Sequence, residues 1–235
     1  MTTTMLDSRT AIDAIGRMSL TRLARSKALW ISAALAALPV LAALLISGST
    51  KAPATNWNMV HLTLRLTILI IPPLIVGSSL ADDIGEKSAA YLWSRALPRW
   101  VIVAAKVIYL VPVIFALAAV SATLAWVIAR DAAGVDVVDL GRTLVGIAAT
   151  SLAASALTVM AIVLAPRFGV VIALCWLLTL DVALGGRAMG ARVIATSFSI
   201  AALAEGRDVA VALVSAAVIT IGCLAVALKR IDRIE

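Results

Sequence analysis

The sequence is poor in the residues that build metal sites and disulfides. Its 235 residues include two cysteines and one histidine, and only 14% are charged. Both cysteines, Cys175 and Cys223, fall inside apolar runs, where free thiols pack as small apolar side chains. A single histidine without a cluster of cysteines or histidines gives no support to a metal site. We therefore expect no metal centre and no disulfide.

The sequence also lacks the short motifs of nucleotide-binding and hydrolytic proteins. It contains no G-x-x-x-x-G-K-[ST] loop, so we expect no ATP site in this chain. H-E-x-x-H and G-x-S-x-G are missing as well. We expect that the chain is not an enzyme, has no catalytic residues and binds no cofactor. Any uphill transport would take its energy from another subunit or from an ion gradient.

Apolar residues make up 63% of the chain, more than a soluble domain of this length can bury. Runs of about 20 apolar residues match a hydrocarbon core of about 30 Å. The sequence predicts an all-α integral membrane protein with a single domain over residues 28–228. Its six transmembrane helices are expected near residues 28–47, 59–80, 101–129, 143–165, 168–186 and 209–228.

Residues 1–27 precede the first span and are basic and moderately amphipathic. Ile12, Ile15 and Leu20 share a broad face, with Arg17 opposite, which predicts a helix in the membrane interface. A disordered basic tail is the alternative. No apolar core with a cleavage site, as in a signal peptide, occurs here.

Two further segments lie outside the predicted spans. Residues 191–204 are apolar but too short to cross the membrane, which predicts one or two short re-entrant or interfacial helices between spans five and six. Residues 229–235 form a short basic tail.

Positive charge is distributed unequally across the predicted membrane. Thirteen lysines and arginines lie on the side of the termini and of residues 80–100, against six on the other side. This bias predicts cytoplasmic termini, so the net charge of +7 is a topology signal and not a sign of nucleic-acid binding. High alanine and arginine usage hints at a GC-rich bacterial source. We expect a multi-pass protein of the bacterial cytoplasmic (inner) membrane.

Three ionisable side chains lie at membrane depth: His61 and Arg65 on the second span and Asp181 on the fifth. Charges at such depth tend to pair or to line water. Counting along the helices puts Arg65 and Asp181 at a similar level, which predicts an ion pair or a common polar cavity. In the alternative, Arg65 extends outward to the membrane surface and Asp181 caps a short helix.

A long polar segment, residues 80–100, separates the second and third spans. Its acidic residues Asp82, Asp83 and Glu86 come early and Arg95 comes late, which suits the dipole of a helix. The neighbouring Tyr91 and Leu92 offer an anchor of the kind that dominates protein interfaces. The pattern predicts a surface helix over 81–99 that docks on a soluble partner. An ordinary solvated loop is the alternative.

This segment resembles the first cytoplasmic loop of ABC-2-type transporter permeases. The family pattern is similar to I-A-D-E-I-E-x-G-T-x-x-Y-L-L-S-R-P-V-P-R, followed seven residues later by a lysine. Asp82, Pro98 and Arg99 match it, Lys106 is the lysine, and Asp83 stands where the family prefers glutamate. The plan of six spans with an N-terminal interfacial helix is similar too.

The resemblance implies a function and a set of partners. Residues 81–99 would be a coupling helix seated in a groove of a cytoplasmic ABC ATPase subunit, which would bind ATP and Mg. Two permease chains, identical or different, would form the pathway in the lipid bilayer, bordered by spans two and five. The residues expected to contact the ATPase are Asp82, Asp83, Glu86, Tyr91, Leu92, Arg95, Pro98 and Arg99. His61, Arg65 and Asp181 would lie along the substrate route.

Other functions fit the sequence less well. A membrane scaffold that anchors a cytoplasmic partner through residues 81–99 is the main alternative, and the related membrane subunit of c-type cytochrome assembly has a comparable loop. An ion-driven carrier is disfavoured, because no inverted repeat of broken helices is evident.

Overall fold

The computed structural model describes residues 8–47, 53–85, 99–133, 137–180 and 209–231, almost all of which are helical. Its helices are α1 (Ser8–Arg25), α2 (Lys27–Ala36), α3 (Leu38–Ser47), α4 (Pro53–Gly85), α5 (Arg99–Ala133), α6 (Val137–Leu164), α7 (Gly169–Cys175) and α8 (Val209–Ile231). A π-helix, Trp176–Leu180, continues α7. The predicted all-α class is confirmed for these residues.

Five segments of the described chain are long and apolar enough to cross a membrane, which makes this a multi-pass membrane protein. They are Lys27–Ser47, Asn58–Leu80, Trp100–Arg130, Val137–Leu164 and Val209–Arg230. They correspond to five of the six predicted spans. The segment predicted at 168–186 is described only as far as Leu180, where it forms α7 and the π-helix.

The fourth of these helices begins earlier than the sequence indicated. α6 starts at Val137 and not near residue 143, because its first turns accommodate charged residues. Asp139 and Arg142 lie three residues apart on one face, and their side chains pair at 3.7 Å. A prediction from hydropathy leaves charged residues out of a span, but here Asp139 and Arg142 belong to the same helix and extend it beyond its apolar part.

The first span is divided by a proline. α2 ends at Ala36 and α3 begins at Leu38, one residue before Pro39. Pro39 has no N–H to donate to the carbonyl of Leu35. The hydroxyl of Thr67, on α4, donates to that carbonyl at 3.4 Å, so a neighbouring helix supplies the missing donor.

Helix α6 is the centre of the bundle. Gly146, Thr150, Ala154 and Thr158 recur every four residues along it and are all buried. α8 makes its most extensive contact with α6. Its buried residues Ala212, Ser215, Ala216 and Ala227 are also small, so the two helix backbones approach closely.

Four helices have one end at a common level, which we call the base of the bundle. Leu80 near the end of α4, Val103 near the start of α5, Val163 at the end of α6 and Ala227 near the end of α8 belong to one buried cluster. The first turns of α5 therefore lie beside the last turns of α4, α6 and α8. Leu23 of α1 joins the same cluster, so α1 also lies at the base.

Helix α7 runs back into the bundle from the base, antiparallel to α4. Gly77 of α4 leaves so little room that a Cβ there would lie 2.8 Å from a methyl group of Val170. Farther from the base, Leu69 of α4 and Leu177 share a buried cluster. The chain thus re-enters the apolar region after α6.

Candidate functional site

The polar segment predicted to couple to a partner is described at its two ends. α4 continues past the apolar span to Gly85, which places Asp82 and Asp83 in its last turn. α5 begins at Arg99. The other predicted contact residues lie outside the described residues: Glu86, Tyr91, Leu92, Arg95 and Pro98. The two helix ends that frame residues 86–98 are thus both at the base.

A buried lysine joins these two helix ends. Lys106 of α5 is 1% exposed, and it is among the largest fully buried side chains of the described residues. Its Nζ donates to the backbone carbonyl of Ser79 and to the Ser79 hydroxyl, the latter at 3.1 Å. Because Ser79 lies one turn before Asp82 and Asp83, the contact ties α5 to α4 just where α4 leaves the apolar region.

A small polar pocket of about 100 Å³ surrounds this contact, between α1, α4 and α5. Lys106 and Ser79 form one side, and α1 contributes Ser19 and Arg22 to the other. Ser19 is buried, and its hydroxyl donates to the carbonyl of Ile15 at 2.9 Å. A charged lysine can be buried at low cost only where oxygen atoms accept hydrogen bonds from its amino group, and the two oxygen atoms of Ser79 do so in this pocket.

Helix α1 is held against α5 by a second contact. Gly16 lies under the ring of Tyr109, which occupies the space that a Cβ at residue 16 would need. The Tyr109 hydroxyl donates to Asp13, one turn before Gly16. Arg17 donates to the same carboxylate, with Nε 3.2 Å from Oδ1 and an N–O distance of 3.0 Å to Oδ2. These hydrogen bonds, from Tyr109 first and Arg17 second, lower the pKa of Asp13 below its ordinary value of 3.8.

A second polar region lies near the other end of the bundle. His61 and Arg65 lie one turn apart on α4 and are half-buried. Asp139, in the first turn of α6, interacts electrostatically with His61 and also pairs with Arg142. The structure therefore brings α6 to this site, which the sequence analysis did not foresee. Asp181 lies outside the described residues, so its pairing with Arg65 stays a prediction.

An apolar groove of about 870 Å³ runs along one side of the bundle. We call it the α5 groove. One wall is formed by α2 and α3, including Ala33, Ala37 and Val40. The other wall is α5, from Ile108 to Leu124, and Leu20 of α1 closes the end nearest the base.

Several residues of these sites could not be found from the sequence. Asp13 and Tyr109 are 96 residues apart, and nothing local connects them. Lys106 was recognised as part of a motif, but its burial depends on the packing of α1, α4 and α5. One local signal existed: Lys106 and Tyr109 are three residues apart and so share a face of α5 that meets α1 and α4.

The arrangement at the base is suited to transmitting movement, because Lys106 joins the end of α4 to the start of α5, and α1 packs over this contact.

No protein-family model matches this chain, and no curated protein or solved structure is detectably similar to it. Any assignment of function must therefore start from the residues themselves.

Proposed function

We propose that this chain is the transmembrane permease subunit of an ATP-driven ABC-2-type exporter. The observation that carries the proposal is the pattern of residues 80–99 followed by Lys106, which resembles the coupling loop of such permeases. Two features support it. The segment starts and ends on two long helices, α4 and α5, and the family lysine is the residue that joins them.

In this proposal, residues 81–99 form the coupling helix on a separate cytoplasmic ATPase subunit, which binds ATP and Mg. This chain has no catalytic role, and a second permease copy completes the transporter. When ATP closes the ATPase pair, the coupling helix pushes on the ends of α4 and α5. Because Lys106 joins these ends, the push moves both helices together and reaches the substrate route.

The proposed topology has six spans and cytoplasmic termini in the bacterial inner membrane. α1 would be the interfacial helix, and short re-entrant helices would lie between spans five and six. The packing of α8 on α6 supports a sixth crossing. Both helices approach the base at their C-terminal ends, since Leu157 clusters with Cys223 and Val163 with Ala227. Two parallel spanning helices need a return crossing between them.

The cargo of such a permease would be amphipathic or hydrophobic, such as a peptide, a drug or a lipid-like compound. His61, Arg65 and Asp181 would lie along its route. Asp139 of α6 joins this proposed polar lining, because it interacts electrostatically with His61.

The test is affinity purification of the tagged full chain from its native membrane, with mass spectrometry of the proteins that accompany it. We expect a stoichiometric subunit that carries a nucleotide-binding loop. Replacing both anchors, Tyr91→Ala with Leu92→Ala, should weaken ATPase association at least about thirtyfold, because a single interface anchor contributes about 2 kcal/mol or more. Amounts of inserted chain should not change.

Thr21→Ala, on an exposed position of α1, is the matched control and should leave the association intact. Recovery of the ATPase with the double variant at wild-type levels would contradict the assigned docking residues. A cytoplasmic partner without a nucleotide-binding loop would instead identify the chain as a membrane scaffold.

A further inference from the structure

Several small side chains on facing walls leave space in the α5 groove. Ala33 and Ala37 on one side and Ala116 on the other leave a space of about 870 Å³, within the range of roughly 300–1,000 Å³ that is typical of ligand sites. Pro112, on the α5 wall, is exposed and does not fill it. Among the described residues that line it, Tyr109 and Ser121 carry polar side chains.

The groove lies at membrane depth and follows the helices lengthwise. Its walls belong to the spans Lys27–Ser47 and Trp100–Arg130. Ile108 and Leu124 mark its extent on α5, about 24 Å at 1.5 Å per residue. One leaflet of the hydrocarbon core is about 15 Å thick, half of the full 30 Å. The groove is long enough for an acyl chain that reaches the bilayer midplane from the base.

Positive charge collects at the end of the groove nearest the base. Leu20 of α1 closes this end, and the exposed Arg25 follows at the end of the same helix. Lys27, also exposed, begins α2 about 9 Å before Ala33, the first groove residue of that helix. The far end, near Ser121 and Leu124, has no charged residue among those that line it.

We propose that the α5 groove binds one anionic phospholipid, with an acyl chain along α5 and its phosphate beside Arg25 and Lys27. Two observations together select this ligand. An apolar groove at membrane depth is filled by hydrocarbon, and basic residues at only one end favour a negative headgroup at that end. The site is separate from residues 81–99 and does not depend on the proposed transport function.

The probe is phosphatidylglycerol with a photoreactive group in its acyl chain, present as a minor component of phosphatidylcholine vesicles that contain the full-length protein. Phosphatidylcholine with the same photoreactive chain is the comparison. We expect crosslinks on α5 between residues 108 and 124 and on α2–α3. Phosphatidylglycerol should be captured about fivefold more for each cation that contacts its headgroup.

Two sets of variants separate the acyl chain from the headgroup. Ala37→Phe with Ala116→Phe fills the groove and should abolish its crosslinks, whereas Ala34→Phe is an exposed control outside the groove and should not. Arg25→Gln with Lys27→Gln should equalise the two lipids while keeping crosslinks to the apolar walls.

Equal capture of the two lipids by the unaltered chain would overturn the proposal, and this comparison does not depend on any variant folding. Crosslinks spread evenly over the exposed faces of all spans would overturn it too, because they would show that the lipid has no preferred site on the protein.

Discussion

Lys106 joins α5 to α4 at the base of the bundle. It is 1% exposed, and its amino group donates to two oxygen atoms of Ser79, on a different helix. A hydrogen bond from a charged donor contributes about 1.5–3 kcal/mol, roughly twice a neutral one. Loss of the donor would leave the Ser79 hydroxyl without this partner, and a part-buried polar group without a partner lowers stability.

Lys106→Met keeps the length of the side chain but removes every donor. We expect the free energy of unfolding to fall by about 2 kcal/mol, measured by denaturing-detergent titration of the reconstituted protein. Lys229→Met, at an exposed position near the end of α8, is the control and should change stability by less than about 0.5 kcal/mol. Equal stability of the Lys106 variant and the wild type would show that the hydrogen bonds to Ser79 give no net stabilisation.

Asp13 gives the contact between α1 and α5 a defined pH dependence. Its folded pKa lies below the ordinary value of 3.8, because Tyr109 and Arg17 donate to the ionised carboxylate. A lowered folded pKa means that the stabilisation is complete above about pH 4 and is lost as pH falls through the folded pKa. A spin label at the exposed Ala14 should therefore be immobile at pH 7 and become mobile at pH values below 3.8.

The variant Asp13→Asn mimics the protonated group. With it, the label at residue 14 should be mobile already at pH 7 and should show no further change on acidification. A label that responds to acid equally in both proteins would assign the pH dependence to another group.

At the scale of helices, the hydrogen bond from Thr67 to the carbonyl of Leu35 is expected to matter only because Pro39 has no N–H to donate to it. Thr67→Val removes the donor to the Leu35 carbonyl and should cost about 0.6–1 kcal/mol, the usual value for a hydrogen bond between membrane helices. Pro39→Ala restores an N–H that bonds the same carbonyl within the helix. In that background Thr67→Val should cost close to nothing, and additive effects in this double-mutant cycle would contradict the pairing.

The helices also show how far the sequence could predict the fold. Spans follow from apolar runs, which are local, so residues 28–47 and 209–228 were placed within a few residues of the helices found. Contacts between helices are not local. The sequence could not show that α8 packs on α6, or that Asp139 of α6 interacts electrostatically with His61 of α4.

The predicted coupling residues illustrate the same limit. Their pattern is readable because a helix dipole and an interface anchor are properties of neighbouring residues. The packing of α1 at the base of the bundle, by contrast, depends on Gly16, which lets the Tyr109 ring approach α1. A glycine in a helix normally lowers stability by about 1 kcal/mol relative to alanine. Only the three-dimensional structure shows that Gly16 makes room for the Tyr109 ring.

At the scale of the whole molecule, the number of crossings decides on which sides the two termini lie. Five crossings put the termini on opposite sides, whereas six put them on the same side. The described part of the fifth predicted span, Gly169–Leu180, is about 18 Å long and cannot cross about 30 Å alone. α7 nevertheless leaves the base antiparallel to α4, toward the level at which a return crossing would end.

We therefore expect both termini on the cytoplasmic side. The parallel course of α6 and α8 indicates six crossings, which place both termini on one side, and the positive-inside bias makes that side the cytoplasmic one. A reporter that is active only in the cytoplasm should work at either terminus, and a reporter active only outside should fail at both. A C-terminal reporter active only outside, with the N-terminus inside, would mean that residues 165–208 turn back without crossing. In that case α8 would have to run antiparallel to α6, against the clusters that join Leu157 to Cys223 and Val163 to Ala227.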